Sequence, residues 1–221
     1  MAVIVAPSML SADFANLGNH IDLVNSSSAG LFHLDIMDGV FVPNISYGFP
    51  LVETIAARAK KPLDAHLMIV NPERYIERFA QSGVDYLSVH IEASVHLHRT
   101  LQQIRDAGMK AGVALNPHTN ITSLEYILEE ADYILIMSVN PGFASQKFIQ
   151  SSISKIERLK EMIIKRGASC LIEVDGGVNG ENAGALVKAG ADILVAGSYV
   201  FGSPDPLATI DSLTNCSRLY T

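Results

Sequence analysis

Apolar, β-branched runs recur along the chain at Val3–Pro7, Leu31–Ile36, Pro62–Leu67, Tyr86–His90, Lys110–Leu115, Tyr133–Val139, Cys170–Val174 and Ile193–Ala196. They are near-continuous rather than alternating, which is the pattern of parallel strands buried on both faces. Segments of helical period lie between them. The clearest sets Ile153, Ile156, Leu159, Ile163 and Ile164 among Lys155, Glu157, Arg158, Lys160 and Glu161, an apolar stripe with a charged back. Phe14–Val24, Leu51–Arg58, Pro72–Gln81, Leu97–Ala107, Leu124–Glu129, Ala183–Lys188 and Pro206–Leu213 follow the same logic. Pro72 and Pro206 stand where a first helical turn accepts proline. Gly83 and Gly190 stand where a left-handed cap ends a helix before the next strand.

Eight strand–helix units in 221 residues predict a closed (β/α)8 (TIM) barrel, one domain spanning 1–221. The competing topology is an open doubly wound sheet. That fold usually carries a glycine-rich fingerprint after its first strand, whereas here the first strand runs into Pro7-Ser8. Hydrophobic residues make up 48% of the chain, enough for a large core. The net charge of −7, with no basic stripe, argues against nucleic acid as a partner. An acidic chain that binds a phosphate must do so locally, through backbone N–H groups. Two cysteines, Cys170 and Cys216, form no CxxC pair and no disulfide framework. No apolar run approaches the roughly 18 residues of a membrane span. The first residues lack a charged leader and cleavage site, so a cytoplasmic protein is expected.

In such barrels the chemistry sits at the C-terminal ends of the strands. The stretch His33-Leu-Asp-Ile-Met-Asp-Gly39 ends the second strand, and its alternation puts His33, Asp35 and Met37 on one face. A His and an Asp together on an otherwise apolar strand are either a satisfied hydrogen-bonded pair or part of a site. The other strand ends supply Ser8, His66, His90 with Glu92, Asn116, Ser138 with Asn140, Asp175, and Gly197-Ser198. His33, Asp35, His66 and Asp175 make a set of two imidazoles and two carboxylates. Those donors suit Zn²⁺, Fe²⁺, Mn²⁺ or Co²⁺. His90 is a further candidate ligand or a partner for a neighbouring loop. His20, His96, His98 and His118 read as surface residues.

Three glycine-bearing turns follow strands six, seven and eight: Asn140-Pro-Gly-Phe143, Asp175-Gly-Gly-Val178 and Ala196-Gly-Ser-Tyr199. Bare glycines let backbone N–H groups approach an anion, and a phosphate site in the last loops recurs in this barrel class. The plainer alternative is that these glycines only shape tight turns. Met37, Met68 and Met137 fall near the same rim, either as core filler or as an apolar lid over a reacting carbon.

These residues together resemble the ribulose-phosphate 3-epimerase family. The matching stretches are Pro7-Ser-Met-Leu-Ser-Ala-Asp13-Phe, His33 to Gly39 with Phe41-Val-Pro-Asn44, Asp64-Ala-His-Leu-Met68, Ala114-Leu-Asn-Pro117, Met137-Ser-Val-Asn-Pro-Gly-Phe143, Glu173-Val-Asp-Gly-Gly177 and Val195-Ala-Gly-Ser198. They run from the first strand to the last. The resemblance implies one divalent metal, Zn²⁺ before Fe²⁺, Mn²⁺ or Co²⁺, on His33, Asp35, His66 and Asp175. It implies Asp35 and Asp175 as paired acid and base, with Ser8 and His66 on the substrate. It places phosphate at Gly142, Phe143, Ala144 and Ser145, at Gly176 and Gly177, and at Gly197 and Ser198. The implied reaction interconverts D-ribulose 5-phosphate and D-xylulose 5-phosphate through an ene-diolate, as a step of the pentose phosphate pathway in a homo-oligomeric enzyme. A related ketose phosphate such as allulose 6-phosphate is the alternative substrate. A non-catalytic barrel is disfavoured by the intact Asp and His set and by the lack of an exposed apolar stretch suited to a partner. The chain departs from the family at Ala144-Ser145, where two glycines are usual.

Overall fold

The computed structural model describes residues 3–216. Eight parallel strands form one sheet: β1 (Ile4–Pro7), β2 (Phe32–Met37), β3 (Leu63–Met68), β4 (Tyr86–His90), β5 (Lys110–Leu115), β6 (Tyr133–Met137), β7 (Leu171–Asp175) and β8 (Ile193–Ala196). Neighbours in sequence pair from β2 to β8, and β8 pairs with β1. The circle closes between β1 and β2 through a Ser8–His33 bridge and a 2.9 Å hydrogen bond from the Gly30 N–H to the Val5 carbonyl. The expected (β/α)8 barrel is the fold that forms.

Around it lie α1 (Leu17–Ser26), α2 (Phe49–Ala56), α3 (Ile76–Gln81), α4 (Leu97–Asp106), α5 (Ser151–Arg166), α6 (Ala183–Ala189), α7 (Ser198–Phe201) and α8 (Pro206–Thr214). Strand residues that point outward, such as Phe32, Leu34, Leu63 and Leu67, join helix residues such as Val52, Ile55 and Phe79 in one continuous apolar layer. α5 buries Ile156, Leu159 and Ile163 on its stripe and ends at Gly167, whose φ of 64° suits glycine. Ile164 leaves that stripe and is 70% exposed, because one residue further on turns the side chain about 100° round the helix.

The segment after β5 differs from the expected α-helix over Leu124–Glu129. A 3₁₀ helix covers Ile121–Leu124 and is followed by turns. Asn120 caps it by accepting the Thr122 N–H. Ile121, Leu124 and Ile127 are buried at intervals of three, and a winding of three residues per turn keeps such positions on one face. Phe14–Asn16 and Pro72–Arg74 likewise begin their helical segments as 3₁₀ turns.

Asp85, Asp132 and Asp192 immediately precede or lead into the even strands β4, β6 and β8. Each carboxylate accepts an N–H from the preceding strand, at Leu63, Ala111 and Ile172, over 2.9 Å. These three repeats pin the end of the barrel opposite the chemistry. Inside the barrel, Gly112 on β5 has no side chain because the Tyr133 ring fills its place. A Cβ there would lie 2.3 Å from the Tyr133 ring.

Candidate active site

Alternation along the strands brings the chemistry inward. On β2, Phe32, Leu34 and Ile36 join the helix layer, which leaves His33, Asp35 and Met37 facing the barrel interior. The same rule turns Asp64, His66 and Met68 inward on β3, and Glu173 and Asp175 on β7. The structure brings His33, Asp35, His66 and Asp175 together, with one ligand atom from each lying within 4.8 Å of the others. His33 Nδ1 meets Asp64 Oδ2 at 2.6 Å. Its Nε2 is buried without a hydrogen-bond partner and faces Asp35 Oδ1 at 3.4 Å. His66 Nδ1 stands 3.2 Å from Asp35 Oδ1 and 3.9 Å from Asp175 Oδ2. The Ser8 hydroxyl donates to Asp35 Oδ2 at 2.6 Å.

Burial and neighbouring charge divide these groups. Burial opposes charge on Asp35, but His33 and His66 outweigh it and hold the carboxyl well below its usual range. Burial and then the nearby Asp35 push Asp175 up to about 7. Burial lowers His66 to about 4. Burial also opposes charge on His33, yet the Asp35 and Asp64 carboxylates lift it well above the ordinary imidazole range. A buried imidazole nitrogen with no partner, converging with two carboxylates and a second imidazole, fits a cation. The cluster can hold one divalent metal.

Above the cluster opens a cleft lined by Ser8, Asp35 and Asp175, by the turns at Gly142–Gln146, Gly176–Gly177 and Gly197–Ser198, and by Met37, Met68 and Met137. All the residues expected to touch substrate line it except His66, which is wholly buried behind Asp35. Gly176 and Gly177 have φ of 119° and 65°, and a Cβ at Gly177 would lie 2.9 Å from the Phe148 backbone nitrogen. Glycine is therefore required at Gly177 by both backbone angle and space. At Gly197 a Cβ would meet the Ser11 hydroxyl at 2.5 Å. Asn44 ties the β2 and β6 loops by donating to the Gly142 carbonyl at 2.7 Å.

The sequence reading assigned no role to a polar layer beneath the cluster. Tyr133 donates to Asp64 Oδ1 at 2.9 Å, and Asp64 holds His33. Glu173 lies 3.5 Å from His33 Nδ1, with both oxygens buried and lacking hydrogen bonds. Burial and then the Asp64 charge push its carboxyl well above the usual range, which keeps it neutral. Asp64 and Glu173 each sit two residues before a candidate ligand. Carrying the two-residue alternation one step down each strand would have found them.

A sequence model of the ribulose-phosphate 3-epimerase family matches residues 4–201. The chain belongs to this family. Ribulose-phosphate 3-epimerase of Bacillus subtilis is 52% identical over 95% of this chain and 97% of its own. The Synechocystis protein of that name is 51% identical over 98% and 95%. The chloroplastic ribulose-5-phosphate-3-epimerase of Arabidopsis thaliana is 47% identical over 98% of this chain and 78% of its own. Among solved structures, KGPDC of Streptococcus mutans superposes with a TM-score of 0.77 over 98% of both chains. At 12% identity that likeness speaks for the fold alone.

Within this epimerase family the departure at Ala144-Ser145 has a structural counterpart. Ser145 adopts a left-handed backbone with φ of 59°, a conformation glycine takes freely and other residues take at about 1–2 kcal/mol. Gln146 braces the turn by donating from Nε2 to the carbonyls of Asn140 and Phe143. The loop thus keeps a glycine-like path without the glycine.

Proposed function

We propose that this protein is a ribulose-phosphate 3-epimerase that interconverts D-ribulose 5-phosphate and D-xylulose 5-phosphate, with the whole chain acting as one catalytic domain. The observation that carries this reading is the pair Asp35 and Asp175, which face one cleft with opposed proton affinities. Inverting the carbon beside a ketone requires removing its proton on one face and returning a proton on the other. Two carboxylates flanking the substrate plane do this, each acting as base in one direction and acid in the other. Such a pair needs one carboxylate placed to accept the proton and one carboxyl placed to return it. Ser8, hydrogen-bonded to Asp35, orients that carboxylate and reaches the substrate side of the cleft. Nε2 of His33, Nδ1 of His66 and the carboxylates of Asp35 and Asp175 would hold the metal, with Zn²⁺ favoured by the nitrogen and oxygen donors and Fe²⁺, Mn²⁺ or Co²⁺ as alternatives. When bound, the metal supplies Lewis-acid stabilisation of the negative charge that develops on the ene-diolate oxygens.

The phosphate falls to the backbone N–H groups of Gly177, Gly197 and Ser198. α7 spans only four residues, so its unpaired first-turn N–H groups contribute more than any helix dipole. Binding energy at the phosphate orients the reacting carbon. The test is to supply D-ribulose 5-phosphate and allulose 6-phosphate separately and compare kcat/KM. Conversion of the pentose phosphate with the higher kcat/KM supports the reading. Preference for the hexose phosphate, or no turnover of either, contradicts it.

A homo-oligomer accompanies this reading. Contrary to the expectation of no exposed apolar stretch, Val40, Ile45, Val70 and Tyr75 are exposed and border one cleft beside the active-site loops. Such patches favour association. Light scattering should give a mass of at least twice 23.8 kDa; a monomer at micromolar concentration contradicts it. No helix among the described residues is long and apolar enough to cross a membrane. Both cysteines are buried, in keeping with the cytoplasm proposed here.

A further inference from the structure

His66 on β3 and His90 on β4 face each other inside the barrel with their Nε2 atoms 2.9 Å apart. Both residues are wholly buried. At that separation one nitrogen carries the hydrogen and the other the lone pair. His90 turns its other nitrogen, Nδ1, to Glu92 Oε2 at 3.0 Å. The second oxygen of Glu92 accepts the Asn116 N–H at 2.9 Å and the Thr119 hydroxyl. Burial opposes charge on Glu92, but hydrogen bonds from His90, Thr119 and Asn116 outweigh it and bring the carboxyl down to about 2. A carboxylate only accepts, so the hydrogen between Glu92 and His90 sits on His90 Nδ1. With that hydrogen on Nδ1, His90 offers the lone pair at Nε2, and the hydrogen of the 2.9 Å bond belongs to His66 Nε2. With a cation in the cluster, His66 Nδ1, which faces Asp35 at 3.2 Å and Asp175 at 3.9 Å, is then the nitrogen left free of hydrogen to meet it. The Phe41 ring, centred 4.6 Å from that of His90, packs beside the relay.

We propose that His90 and Glu92 are positioning residues for the metal site: the chain Glu92–His90–His66 fixes His66 as its Nε2–H tautomer and aims its Nδ1 lone pair at the metal. This rests on the metal reading given above. The relay does for His66 what Asp64 does for His33, so both imidazoles present a bare nitrogen from a ring held by a partner on its far side. The opposite arrangement, with His90 donating from Nε2 and His66 carrying its hydrogen on Nδ1, would point a hydrogen into the cluster and bar a ligand bond there.

The test uses the intact protein loaded with Zn²⁺ and labelled with ¹⁵N. Long-range ¹H–¹⁵N correlation of the imidazole rings should report His66 as Nε2–H and His90 as Nδ1–H. Glu92→Gln can donate to His90 Nδ1 and so reverse the relay. Chelator competition should show it binding Zn²⁺ about 10–100-fold more weakly, the range for losing an outer partner of a metal-bound histidine. Wild type that binds Zn²⁺ with His66 as Nδ1–H, or a folded Glu92→Gln with unchanged affinity, overturns the relay and leaves the metal reading standing. Wild type that takes up no Zn²⁺ overturns both. The wild-type tautomers decide the matter even where Glu92→Gln fails to fold.

Discussion

Asp35 and Asp175 carry the same functional group in unlike surroundings. Asp35 receives the Ser8 hydroxyl and lies against two imidazoles, whereas Asp175 sits at the cleft wall within the field of Asp35. Asp35→Asn and Asp175→Asn keep the shape but cannot carry the proton. Each should lower kcat by at least about 10²–10⁴-fold, the usual worth of a general acid or base. Near-wild-type turnover in either variant, measured with fold verified by circular dichroism, would remove that residue from the acid–base pair. Glu173 offers a stability test in metal-free protein. An acid whose pKa rises on folding binds more protons folded than unfolded, so its contribution declines as pH climbs above the unfolded value; for Glu173 that reference is 4.5. Glu173→Gln mimics the neutral acid, and its Tm relative to wild type should rise between about pH 5 and about pH 8. Parallel Tm–pH curves would contradict a neutral Glu173. The four candidate ligands were legible because each breaks an apolar strand run with a titratable side chain. The Tyr133–Asp64 and His66–His90 contacts were not, because they depend on how side chains of different strands meet inside the barrel.

At the scale of elements, the proposed phosphate site rests on the turns after β6, β7 and β8. Lys147 is exposed and lies in the neighbouring groove beyond Gln146, not along the cleft itself. Lys147→Ala should therefore leave KM for the ketopentose phosphate nearly unchanged. Gly197→Val would press on Ser11 and on the space before the Ser198 N–H. It should raise KM about 10–100-fold, equivalent to losing one hydrogen bond to a charged group at about 1.5–3 kcal/mol. If Lys147→Ala is the severe variant and Gly197→Val is silent, a side-chain cation holds the phosphate. The glycine turns were legible in the sequence as backbone that only glycine adopts freely. The left-handed Ser145 was legible only as an oddity of composition. The 3₁₀ winding after β5 was masked because apolar spacings of three and of four look alike over ten residues.

For the molecule as a whole, eight buried apolar runs and the helices between them are a strong signal, and the barrel was legible from periodicity alone. The closure of β1 on β2 was not, since it rests on the Gly30–Val5 hydrogen bond and on the Ser8–His33 bridge, which also sits at the site. The barrel gathers residues from β1, β2, β3 and β7 onto one rim, and the central claim is that this rim moves a proton on and off the third carbon of a ketopentose phosphate. The most direct measurement is ¹H NMR of D-ribulose 5-phosphate with the enzyme in D₂O. The account predicts xylulose 5-phosphate carrying deuterium at C3, with the same exchange lost in Asp175→Asn. Product that retains its C3 hydrogen, or exchange that persists in Asp175→Asn at the wild-type rate, would contradict it.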